Sequence, residues 1–137
     1  VSVADLESHA QSLLALLRAD PFLTVYDGHV PAEPLLPYAV LYLGWGSART
    51  ALVAVTDLFD GRAQVTSVGA NAAAARIVAK RVADRLIDVT PAVAGRSCWP
   101  ITHELAQPPR EDRDVHIDGV GFPVYAVDEY RIASVPA

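Results

Sequence analysis

Leu6, Ala10, Leu13, Leu14 and Leu17 recur at the spacing of one helical face, while Asp5, Glu7, Ser8, Gln11 and Ser12 occupy the rest of the turn. This pattern predicts an amphipathic helix over residues 2–19. Ser2 and Asp5 resemble a capping box at its start, and Asp20-Pro21 stops it, because a residue before proline avoids the helical region. "FLTVYDG" then predicts a short strand ending in a turn, and "HVPAEPLLP" a proline-punctuated loop. In "YAVLYLGWG" (residues 38–46) successive positions are apolar, the signature of a strand covered on both faces and central in its sheet.

The stretch "SARTALVAVTDLFDGRAQ" is harder to place. Residues 51–55 fit a strand, and Asp60-Gly61 reads as a turn before the next one. Leu52, Val53, Val55, Leu58 and Phe59 are many apolar residues for a loop. Residues 47–61 are therefore read as an apolar arm or hairpin, with those five as the candidate subunit interface, completing its burial on a neighbouring subunit. Residues 64–68 form a strand, Asn71 caps a second helix running through Asp88, and Ala75, Val78, Ala79, Val82, Leu86 and Val89 make its buried stripe. Thr90-Pro91 ends it. "SCWPITHEL" is a candidate strand broken or moved to an edge by Pro100, "QPPREDRD" an exposed connector, and "DVHIDGVGFPVYAVDEYRIASV" one or two further strands. The order α-β-β-(β)-β-α-β-β predicts an α+β fold: a mainly antiparallel or mixed sheet with both helices on one face, in a single domain over residues 1–137.

Composition adds bounds to this picture. With 137 residues, 52% of them hydrophobic, the chain can bury an ordinary core, so no disulfide or metal is required for folding. Its one cysteine, Cys98, excludes an internal disulfide and reads as a small core residue. The net charge is −5 and the basic residues are scattered, which argues against sequence-specific nucleic-acid binding. The first residues lack the charged start and apolar run of a signal peptide, and no apolar run approaches the roughly 20 residues that cross a bilayer. A soluble chain made in the cytoplasm is expected.

Candidate chemistry is sparse. "SVGANAAAAR" joins strand to helix as phosphate loops do, but it has one glycine and no lysine in the turn. Gly69 is expected to supply a tight turn and Asn71 a cap. "DVHIDG" matches the first half of a calcium loop loosely, but Tyr125 stands where the closing glutamate belongs. Its alternation fits a strand showing Asp114, His116 and Asp118 to water. His9, His29, His103 and His116 have no metal-ligand spacing, no nucleophile elbow is present, and "GVGFPV" lacks the rest of a dinucleotide fingerprint. No catalytic, cofactor or metal residue is assigned.

Several pieces in order carry a resemblance: "VYDGHVPAEPLLPYAVLY", "QVTSVGANAAAARIVAKRVADRLID", "QPPREDRDV" and "FPVYAVDEYRIASVP". Together, from about Val25 to Ala137, they resemble the tail terminator (tail-completion) proteins of long-tailed phages, particularly those of actinobacteria. The resemblance implies a small α/β domain forming a homo-oligomeric ring, a hexamer, that caps the tail tube and stops its polymerisation. It further implies contact with the major tail tube protein on one face and with a head–tail connector or stopper on the other. Genomic DNA would pass through the lumen without specific binding, and the protein would sit at the neck of the virion. No enzyme activity, cofactor or membrane contact is implied.

Two other readings stay open at this stage. A small-ligand-binding or enzymatic α+β domain would line a cleft between helices and sheet with Trp45, Trp99, His103 and Tyr125. Another neck protein such as a stopper, or an adaptor using residues 52–59, would share the same composition.

Overall fold

The computed structural model describes residues 6–45 and 58–137. Helix α1 (Leu6–Arg18) buries His9, Ala10, Leu13, Leu14 and Leu17, the stripe expected from its spacing plus one histidine. The predicted cap at Ser2 and Asp5 lies outside the described residues. After α1, the Asp20 carboxylate accepts the Phe22 amide at 3.0 Å, an Asx turn that reverses the chain into strand β1 (Val25–Asp27).

Strand β1 pairs in parallel with β2 (Tyr38–Trp45), and the pairs from β2 to β3 (Phe59–Gly69) and from β3 to β6 (Val124–Pro136) are antiparallel. Beyond β6, strands β4 (Arg96–Cys98) and β5 (Thr102–Glu111) follow one another along the same side of that long strand. Helix α2 (Ala72–Leu86) connects β3 to β4. The result is the expected α+β fold: among the described residues, one curled mixed sheet of six strands with two helices.

The core lies between the helices and one sheet face. Leu13, Leu14 and Leu17 of α1 and Val78, Val82 and Leu86 of α2 close over Ala39, Leu41, Ala63, Val65, Tyr130 and Ile132. Their alternation on β2, β3 and β6 follows the strand period of two. Cross-links hold the helices together: Arg85 donates to the Leu16 carbonyl at 3.0 Å, and Arg81 grips both oxygens of Asp20 at 2.9 and 2.8 Å.

Four local expectations are corrected. Asp60-Gly61 is no turn: both residues lie inside β3, paired with Ala133 and Ile132. Asp60 is fixed there by the Arg131 guanidinium at 2.8 Å. A Cβ on Gly61 would sit 2.7 Å from the Phe59 ring, so this glycine makes room for an aromatic side chain and not for a turn. Gly69 likewise serves close packing, since a Cβ there would come within 2.6 Å of the Ala75 nitrogen. "QPPRE" is not a connector but the end of β5, and Pro108 and Pro109 fall at the register shift between Gln107 and Arg110. Two missing N–H donors are tolerated on an edge strand at a bulge. "DVHIDG" is a loop with a single bridge, Ile117 to Gly121, and His116 lies edge-on to Phe122 at 5.9 Å. The cap reading holds: the Asn71 side chain accepts the Ala74 amide at 2.8 Å.

Candidate interaction surfaces

On the sheet face turned away from α1 and α2, side chains converge without being absorbed by the core. On β2, Tyr38, Val40 and Tyr42 point there, and the register sets Tyr38 beside Val68 and Val40 beside Thr66, with Val68 beside Tyr125 of β6. Two long connections rise over this floor. Residues 28–37 link the parallel strands β1 and β2, and residues 112–123 link β5 to β6. Between them lies a cleft of about 890 Å³.

The cleft is aromatic below and acidic at its walls. Its lining includes Glu33, Asp112, Asp114, Asp118 and His116 and, among the described residues, no lysine or arginine. Leu35 at 85%, Tyr42 at 43% and Val115 at 43% exposure leave apolar surface open to water around it. Burial, with Tyr42 and Asp112 adding smaller effects, pushes the Tyr38 phenol above its ordinary value, so it stays a neutral hydrogen-bonding group at physiological pH. Farther along the same face, Asp60 binds Arg131 at 2.8 Å and Arg62 at 3.5 Å, and Arg62 reaches Glu129 at 3.5 Å. This chain of charges pins β3 to β6 at one end of the face.

A smaller groove of about 450 Å³ is lined by Leu58, Trp99, Pro100, Thr102, Arg131 and Ala133. It sits where β3 begins, next to the segment that carries the predicted arm. Trp99 is half exposed there. Cys98 beside it is partly buried, and burial raises its thiol above the ordinary value, the opposite of what a nucleophile needs.

The five candidate interface residues separate. Leu52, Val53 and Val55 lie outside the described residues. Leu58 is half-buried in the groove just described. Phe59 belongs to the core, fully buried and stacked on His9 with ring centroids 3.9 Å apart. The reason is sequence-local: Phe59 starts β3 on the helix side, opposite the open face that Asp60 shares.

Of the four residues proposed to line a ligand cleft, Tyr125, Trp99 and His103 lie apart. Tyr125 belongs to the open-face cleft and Trp99 to the smaller groove. His103 lies on the helix side of β5, bonded to Asp128 at 2.9 Å, and the Trp45 side chain is outside the described set. Another close histidine contact is internal. His9 Nε2 lies 2.7 Å from Ser134 Oγ, which also accepts Arg96 Nε–H at 3.0 Å. Both His9 and Ser134 are fully buried, so this pair ties α1 to β6 and offers no substrate an approach. Among the described residues, no three His, Cys, Asp or Glu side chains are placed to hold a metal ion, and no helix is long and apolar enough to cross a membrane.

The sequence did not show the cleft. Residues 38–46 read as a strand covered on both faces, yet Tyr38 and Tyr42 alternate with Ala39 and Leu41, a period-two signal for a polar-capable face. The carboxylates in the two turn-rich connections flanking it, Glu33 in one and Asp112, Asp114 and Asp118 in the other, were the other available sign.

Comparison with solved structures places this architecture. The fold is shared with a chain of a gene transfer agent virion. That chain, from the virion of a native gene transfer agent (GTA) particle, superposes with a TM-score of 0.64 at 21% identity, over 99% of this chain and 98% of its own length. A second solved chain, whose name says nothing of its role, matches with a TM-score of 0.51 at 17% identity over 92% and 91% of the two lengths. At these identities the likeness concerns the fold. No family model matches the sequence, and no curated protein matches it.

Proposed function

We propose that this chain is a structural protein of a phage-like particle, and within that class a tail terminator. Copies form a ring, a hexamer, on the end of the tail tube, block further addition of tube protein and present a surface to the head connector. The observation that carries the reading is the end-to-end superposition on a chain of a gene transfer agent virion, with coverage near the full length of both. The ordered sequence segments from Val25 to Ala137 resemble tail terminators independently of that superposition.

The role asks for surfaces and not for an active centre. One ring face fits the last layer of the tube, and the other offers no site for another layer. A heterologous contact that closes on itself makes a ring instead of a fibre. The apolar residues Leu52, Val53 and Val55, with Leu58 at the root of the segment, supply contact area between neighbours. The net charge of −5 suits a lumen through which DNA passes without being held. In this reading the protein is made in the host cytoplasm and resides at the neck of the virion.

Native mass spectrometry over a concentration series, with and without magnesium, tests it. A discrete hexamer is expected, and adding it to polymerising tube protein is expected to fix tube length in electron micrographs. A chain that stays monomeric and leaves tube growth unchanged rejects the terminator role.

A further inference from the structure

The open-face cleft has a counterpart on the opposite side of the same domain. Along the outward side of α2, Ala73, Arg76, Ile77, Lys80 and Asp84 are exposed, at the i, i+3, i+4, i+7 spacing of one helical stripe. Helix α2 carries four basic residues, Arg76, Lys80, Arg81 and Arg85, against one acid, Asp84. Arg81 and Arg85 turn back toward α1, where Asp20 and the Leu16 carbonyl hold them. Arg76 and Lys80 lie on the exposed side instead, flanking Ile77, which is 52% exposed. Lys80 also pairs with Asp84 on the same stripe at 2.6 Å, so the stripe keeps a net positive charge through Arg76.

The cleft has the complementary properties. It is concave where α2 is convex, its walls carry Glu33, Asp112, Asp114 and Asp118 beside His116, with no lysine or arginine among the described residues, and its floor and rim are apolar and aromatic. A helix ridge about 10 Å across suits such a groove. We infer that the cleft of one copy receives the outward face of α2 from the next copy, with Arg76 and Lys80 against the acidic walls and Ile77 over the tyrosine floor. The inference rests on the ring reading for its partner, a second copy of this chain, and adds which surfaces meet. Because the two surfaces lie on opposite layers of the domain, the contact is head to tail, the kind that closes into a ring.

Charge reversal on both sides tests this. Glu33→Lys with Asp114→Lys makes the cleft basic, and Arg76→Glu with Lys80→Glu makes the helix face acidic. All four positions are exposed, so circular dichroism and thermal melting are expected to report an unchanged fold. Each variant alone is expected to lose self-association at least about tenfold, since like charges then face each other. Mixed one to one, the two variants are expected to reassemble in equal numbers, because each cleft again meets a helix of opposite charge. Native mass spectrometry distinguishes them by mass. Assembly of either variant as in the wild type overturns the inference and assigns the cleft to a different occupant, while the ring reading stands. Loss of assembly without rescue on mixing also overturns it. A wild-type chain that remains monomeric at every concentration, with and without magnesium, and leaves tube growth unchanged overturns both.

Discussion

At the scale of single residues, the interior contains polar groups whose roles differ sharply. Ser134 serves His9 and Arg96 at once, and the arginine also reaches the Ser134 carbonyl at 2.9 Å, so its hydroxyl is well satisfied. The Tyr130 hydroxyl is buried and has no hydrogen-bond partner among the described residues. Burial first, and the Asp128 carboxylate second, push this phenol well above its ordinary value. Its ring does the packing, 5.1 Å from His103 and inside the core cluster. An unbonded buried hydroxyl costs its desolvation, so Tyr130→Phe is expected to be neutral or to stabilise by up to about 1 kcal/mol. A urea melt reads this directly. A loss beyond about 1.5 kcal/mol would mean that the phenol is hydrogen-bonded after all. None of this was visible in sequence, where Tyr130 was one apolar-aromatic position in a strand. Chain order places neither Asp128 nor His103 relative to its ring; the β5–β6 register does.

At the scale of elements, periodicity made both helices and the central strands legible. Most of the stripes read from spacing are buried in α1 and α2, with His9 added, Leu6 and Ala79 half-buried, and Val89 beyond the end of α2 at Leu86. The misread pieces were those where a tertiary contact overrode a local signal. Asp60-Gly61 has turn chemistry, but Arg131 and the Phe59 ring hold it in a strand. The Pro108-Pro109 pair looks like a connector, but an edge strand absorbs it at a bulge. The Asp20–Arg81 pair shows how elements are tied. It joins the end of α1 to the middle of α2, and Arg81 lies 4.4 Å over the Phe22 ring. The Arg81 hydrogen bonds, chiefly, hold the Asp20 carboxyl below its ordinary value of 3.8. A carboxyl depressed in the folded state adds stability above the unfolded-state value and loses it as pH falls through the folded one. Asp20→Asn is therefore expected to lower the melting temperature near pH 7. The gap from the wild type should narrow below about pH 4 and close once both states are protonated. A gap that stays constant from pH 7 to pH 2 would show that the pair's charge contributes nothing.

At the scale of the whole molecule, the question is which apolar surface belongs to the domain and which to a neighbour. Sequence grouped Leu52, Val53, Val55, Leu58 and Phe59 as one arm, because adjacency was the only available guide. The fold separates the last of them: Phe59 is fully buried on His9 within the core, and Leu58 lines a groove with Trp99. The two ends of the segment therefore make different predictions. Phe59→Ala removes a core aromatic and is expected to cost about 3–5 kcal/mol, enough to populate the unfolded state of a domain this size. Leu52→Ser with Val53→Ser is expected to leave the urea midpoint close to wild type, within about 0.5 kcal/mol, and to shift the multimer toward monomer at equal concentration. The first effect appears in unfolding curves and the second in native mass spectra, so the two are separable in one set of purified variants. If the double variant instead loses stability on the scale of Phe59→Ala, Leu52 and Val53 complete this domain's own core. Contact between copies would then fall to the acidic cleft and the outward face of α2, whose charges respond to salt where an apolar arm does not. Measuring multimer formation at low and high ionic strength in that same series decides which surface dominates: marked weakening by salt favours the cleft and helix, and indifference to salt favours the arm.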